Sequence, residues 1–140
     1  MADPSPSLLV NVDVPDLPRA EAFYTAAFGL RAGRRFGGAA LELLGLDVPL
    51  YLLVNAPGSA PVGDLPLRRD YGRHWTPIHL DLAVPDLDLA VARAVAAGAR
   101  LEDGPAARRW GRIAVLADPF GNGFCLLQFT GNGYDEIADP

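Results

Sequence analysis

LLVNVDVPDLPRAEAFYTAAFGL, Leu8 to Leu30, and IHLDLAVPDLDLAVARAVAAGAR, Ile78 to Arg100, are two versions of one pattern. Each opens with an apolar run that alternates at period two, the mark of a strand with one face toward a core. Val10, Val12 and Val14 share one side of the first run, opposite Leu9, Asn11 and Asp13. Leu80, Leu82 and Val84 share one side of the second, opposite His79, Asp81 and Ala83. The sequence VPDL then ends both runs. Its proline disfavours helix for the residue before it, and Asp16 or Asp86 can accept a backbone N–H and start a helix. The first predicted helix carries Ala20, Phe23, Tyr24, Ala27 and Phe28 on one face, and the second carries Leu87, Val91, Ala94 and Val95. Gly29 and Gly98 stand where a left-handed stop is expected.

Further strand signals follow each helix: Arg31 to Phe36, Ala39 to Leu44 and Leu50 to Val54 in the first half, and Ala99 to Glu102, Arg112 to Ala117 and Phe124 to Thr130 in the second. DPFGN, Asp118 to Asn122, supplies the turn residues of a hairpin. The expectation is an α+β fold of two tandem βαβββ modules, with curved mixed sheets around a cleft. Residues 8–55 form the first module and residues 78–130 the second, joined by a linker over 56–77. Tails cover 1–7 and 131–140, and the whole is one domain. A repeat of this length is too long for a solenoid and too short for two independent domains, and reads as an internal duplication.

The chain's 140 residues suffice for a core, and half of them are hydrophobic against 21% charged. No apolar run approaches the ~18 residues of a membrane span. MADPSPSLLV has no basic region followed by an apolar core, so a cytoplasmic location is expected. A single cysteine, Cys125, rules out an intrachain disulfide and a clustered-thiol zinc site. The formal net charge of -5 argues against a nucleic-acid partner. There is no glycine-rich phosphate loop, serine nucleophile elbow or histidine pair at metal spacing, which sets those enzyme classes aside.

The strand-VPDL-helix openings, the Phe23 and Tyr24 pair, DPFGN and the following FCLLQF strand resemble the vicinal oxygen chelate superfamily, which includes glyoxalases, bleomycin-resistance proteins and extradiol dioxygenases. The resemblance covers about Leu8 to Thr130. It implies sheets curled around a cleft, and modules that often pair across subunits, hence a homodimer. Metal-dependent members take ligands from the opening and last strands of each module, typically His or Gln and then Glu. Carried over, the opening-strand positions fall on Leu9 and His79, and the last-strand positions on Tyr51 and Cys125. Only His79 matches well. Leu9 has no lone pair, Tyr51 carries a phenolic proton of pKa about 10, and Cys125 replaces a carboxylate with a thiol. The expectation is a cleft that binds a small organic molecule, aromatic or anionic, with no cofactor. The alternative is a lyase, isomerase or dioxygenase that uses His79 with a reduced set of ligands to a divalent metal ion.

His79 and Asp81 lie two apart on one strand and share a face, about 7 Å between Cα atoms. Three readings stay open: a metal site of His79, Asp81 and Cys125; a metal-free catalytic role with His79 as base and Asp81 orienting it; or a histidine satisfied by its neighbours. Alternation puts Cys125 and Phe129 on the cleft face, and Tyr51 and Leu53 on the matching wall of the first module. With Asn11 these are candidate ligand contacts. The linker brings Tyr71, His74 and Trp75 among Arg68, Arg69 and Arg73, either a lid that stacks on a ligand or a strap packed on the sheet. Trp110 admits the same two readings.

Overall fold

The computed structural model describes residues 5–140. Strand β1 (Val10–Val14) leads into helix α1 (Leu17–Phe28), and β2 (Arg31–Phe36), β3 (Ala40–Leu44) and β4 (Leu50–Val54) complete the first half. Strand β5 (Leu80–Ala83), helix α2 (Leu87–Ala97), β6 (Arg100–Arg108), β7 (Gly111–Ala117) and β8 (Gly123–Phe129) repeat the order, and a 3-10 turn covers Gly133–Glu136. Each half is a four-stranded sheet, β1-β4-β3-β2 and β5-β8-β7-β6, whose first strand lies parallel to its last.

The two VPDL junctions do the same local work. Asp16 Oδ1 accepts from the Arg19 N–H at 3.0 Å and Asp86 Oδ1 from the Leu89 N–H at 3.0 Å, satisfying a donor left free by each first turn. Leu17 and Leu87, the first helical residues, are buried under their helices. Gly29 closes α1 in the left-handed region at φ 66°, and Gly98 follows α2 at φ 121°, outside that region but still at a positive angle that a side chain would strain.

The core lies between the helices and the sheets. Leu41, Leu50, Leu52, Leu116 and Leu126 are fully buried, each worth about 1.5–3 kcal/mol of transfer free energy. The halves meet through their helices: Phe28 sits edge-on to Phe124 at 5.3 Å, and the Tyr24 hydroxyl donates to Asp118 Oδ2 at 2.6 Å. Asp118 is the first residue of DPFGN, and its carboxylate also accepts from the Phe120 and Asn122 backbones. From α2, Arg93 Nε donates to the Ala26 carbonyl at 3.0 Å, placing a cation at the negative end of α1. Among the described residues no backbone ladder joins the two sheets, and β1 and β5 are both edge strands.

Some expected bounds shift. Both opening strands start later, so Leu9 and His79 each precede the first ladder residue. β6 runs on to Arg108 because two register irregularities absorb the Asp103 to Ala106 stretch instead of ending the strand. Val95 is 45% exposed, off the packed face of α2. Tyr134 in the C-terminal segment packs on Trp110 and Phe129, at centroid distances of 5.3 and 4.8 Å.

Candidate functional site

Cross-strand register places matching rows on the outer, concave faces of the sheets. In the first module Asn11 pairs with Tyr51 and Tyr51 with Glu42; in the second Asp81 pairs with Cys125 and Cys125 with Val115. Because side chains alternate along strands, each row projects to one face.

The first row is closed on itself. Arg34 reaches Glu42 through Nε at 3.2 Å and its terminal nitrogen at 2.7 Å, and its backbone N–H donates to the same carboxylate at 3.1 Å. The Tyr51 hydroxyl donates to Glu42 at 3.1 Å and accepts from Arg34 at 3.0 Å. The Arg34 side chain and backbone hold the nearly buried Glu42 carboxyl down to about 2. Phe36 borders this set, 6.4 Å from the Tyr51 ring. Leu53 shares the strand and is half-buried.

The second row is held more loosely. His79 Nε2 lies 3.1 Å from Asp81 Oδ1, and the ligating atoms of His79, Asp81 and Cys125 all fall within 4.8 Å of one another. The Cys125 thiol is pushed up to about 11, first by burial and then by the charge of Asp81 and the hydrogen bond it accepts. The Trp75 ring lies 4.6 Å from His79, and a Cβ at Gly123 would collide with that indole. Glycine at 123 therefore lets the linker lie down beside the imidazole.

The linker is strapped to both halves. Arg69 Nε donates to Asp13 at 2.7 Å, Asn55 donates to the same carboxylate at 2.8 Å, and the Tyr71 hydroxyl donates to the Asn55 carbonyl. Farther along, Arg73 Nε reaches Glu102 at 2.6 Å while its guanidinium sits over Trp75. His74 contacts the Gly72 carbonyl and bridges to Asn122. These two arginines are thus engaged by the protein's own carboxylates.

A cavity of about 350 Å³ opens between β1 and β5, with Asn11, Asp13, His74 and His79 on its concave side and Phe28 and Phe124 at its floor. It gathers Asn11, His74 and His79; Asp81, Cys125 and Trp75 adjoin through His79. Tyr51 and Leu53 belong to the other face, Tyr71 is tied to the strap, and Trp110 and Phe129 form their own cluster with Tyr134. Sequence reasoning missed Arg34 and Glu42. The available signal is Glu42 itself, the lone charge in the apolar strand ALELL.

The donor set does not match that of the metal-dependent relatives this topology resembles. Leu9 offers no ligand atom, the Tyr51 hydroxyl is committed to Arg34 and Glu42, and among the described residues the cluster that could hold an ion, His79, Asp81 and Cys125, lies in the second module.

A family model described as a glyoxalase-like domain matches residues 9–127. The chain belongs to the glyoxalase-like family. This glyoxalase-like chain is 33% identical over 119 residues, 85% of its length, to the anthracycline biosynthesis protein DnrV of Streptomyces peucetius. It spans 39 to 43% of the length of the curated relatives it matches. Among solved structures it is similar to TnmS3, an antibiotic binding protein from Streptomyces sp. CB03234, at 29% identity and a TM-score of 0.65, covering 93% of this chain and 100% of that one. It shares its fold with a glyoxalase/bleomycin resistance protein/dioxygenase family enzyme from Burkholderia phytofirmans PsJN, at 21% identity and a TM-score of 0.65, covering 87% and 97%. Among the described residues no helix is long and apolar enough to cross a membrane.

Proposed function

We propose that this glyoxalase-like chain binds a small aromatic organic molecule of the antibiotic or antibiotic-intermediate class on the concave side, without the metal set of its catalytic relatives. The observation that carries the reading is the second-module face, where Trp75 stacks beside His79 and offers a planar ligand an indole surface and an imidazole hydrogen bond. The 29% identity to an antibiotic binding protein over nearly the whole chain supports the ligand class. The closed Arg34, Glu42 and Tyr51 set supports independence from metal, because it ties up the first module's Tyr51 hydroxyl and Glu42 carboxylate.

Each concave face is open on one side, and Trp75 and Phe36 are about half exposed. This supports a homodimer in which a face of one copy covers a face of its partner, read by light scattering after size exclusion.

Titration with anthracycline-class aromatic polyketides, followed by tryptophan quenching and calorimetry, tests the binding. The expected outcome is saturable binding at about 1 µM or tighter, unchanged by chelator and weakened about tenfold or more in His79→Ala and Trp75→Ala. Binding that disappears with chelator and returns with a divalent ion would overturn the metal-free reading. The 3.1 Å contact between His79 and Asp81 favours a second reading, proton transfer with His79 as base. Turnover of epimerisable acyl thioesters, abolished in His79→Gln with ligand affinity retained, would establish it.

A further inference from the structure

The inner edges β1 and β5 are separated by an open seam, and a groove of about 620 Å³ occupies its other end, where β5, α2, the end of α1 and the turn between β3 and β4 converge. Its walls are apolar: Val10, Phe28, Leu46, Leu82, Leu89 and Ala90 are among its lining. Leu80, Leu82 and Val84 point to the helix side of β5 and pack against the core, yet all three are only partly buried because the groove lies open beside them. Leu46 and Leu89 are 39% and 66% exposed. Water is thus in contact with a continuous apolar trough.

The charges on this trough are unbalanced. Asp47, Asp81 and Asp86 line it, and Arg93 is the only basic residue among the lining. Arg93 is turned to the Ala26 carbonyl at the end of α1, and Asp86 has one oxygen engaged by the Leu89 N–H. The groove therefore presents apolar walls with a net negative rim, the complement of a molecule with a hydrophobic body and a cationic head.

We propose that this seam groove is a second binding site, on the helix side of the seam, for a cationic amphiphile: a flat apolar ring system lying against β5 and α2, with a protonated amine at the Asp47 and Asp86 rim. The groove shares Val10, Phe28, Leu80 and Leu82 with the smaller cavity, and its Asp81 also meets His79, but Trp75, His79 and Cys125 do not line it, so the inference does not rest on the cleft reading.

The planar cation 9-aminoacridine and the planar anion acridine-9-carboxylate, each titrated by fluorescence anisotropy, test the site. The expected result is saturable one-to-one binding of the cation with at least about tenfold preference over the anion. Ala90→Trp, which fills the trough, should weaken the cation about tenfold or more, and Asp47→Asn by about threefold. Ala92→Trp, on the exposed side of the same helix, should leave it unchanged, and matching circular dichroism and melting of the two tryptophan variants separate blockage from misfolding. Equal binding of both probes, undiminished binding in Ala90→Trp, or no binding of the cation would overturn the proposal. Trp75 lies outside the groove, so loss of acridine binding in Trp75→Ala, with Ala90→Trp silent, would relocate the probe to the concave face and also overturn it.

Discussion

The two concave faces are built from the same row of positions and are chemically opposite. Where the first module has Asn11, Tyr51 and Glu42, the second has Asp81, Cys125 and Val115. In the first, an arginine from β2 draws the tyrosine and the glutamate into a closed ion-pair set. In the second, no arginine among the described residues pairs with the acid, and an imidazole and a thiol gather around it. A duplicated scaffold thus keeps its core in register while its faces diverge: one becomes a fixed wall, the other keeps groups free to meet a ligand.

If the two cores are true equivalents, they should respond alike. Leu52 and Leu126 occupy matching central strands and are both buried. Truncation of either to alanine is expected to cost about 2–5 kcal/mol in urea denaturation. A difference between them of more than ~2 kcal/mol, or two separate transitions, would break the equivalence and show that the halves unfold independently.

The junction between the halves gives the next largest effect. Tyr24→Phe removes the buried hydroxyl that donates to Asp118, and should lower stability by about 1–3 kcal/mol in the same assay. Asp118 keeps its donors from Phe120 and Asn122, so the DPFGN turn should survive, and near-unchanged stability would show that the helices alone hold the modules together.

The smallest effects sharpen the contrast between faces through pH. Glu42 has its pKa lowered to about 2, so its pair adds stability above the ordinary value of 4.5 that is lost as pH falls from there toward 2. Cys125 has its pKa raised from 9.0 to about 11, so the folded state favours the thiol and loses that advantage as pH rises through the same interval. Glu42→Gln should flatten only the acid limb of stability against pH, and Cys125→Ser only the alkaline limb. Crossed effects would mean that the two faces communicate.

Much of the fold was legible because its signals are local. Period-two runs, proline after the strand, an aspartate cap and an apolar helical stripe lie within one stretch of chain, and appear twice. Within the candidate site, only the nearness of His79 to Asp81 was legible, because they lie two apart in the chain. Arg34 meets Glu42 through a register shift between Ala32 and Arg35 that no alternation pattern foretells, and Arg69 finds Asp13 across 56 residues. The seam groove draws its lining from β1, α1, the β3–β4 turn, β5 and α2, segments far apart in sequence, so no local pattern announces it.

The missing ladder between β1 and β5 has a mechanical consequence. Two sheets joined by hydrogen bonds can change their mutual angle only by breaking a backbone pattern, whereas sheets hinged on a few helix side chains can be re-angled one residue at a time. Substitutions at Phe28, Arg93 or Phe124 can therefore change the angle between the halves, and with it the width of the seam they line, while the hydrogen-bond ladder within each sheet stays intact.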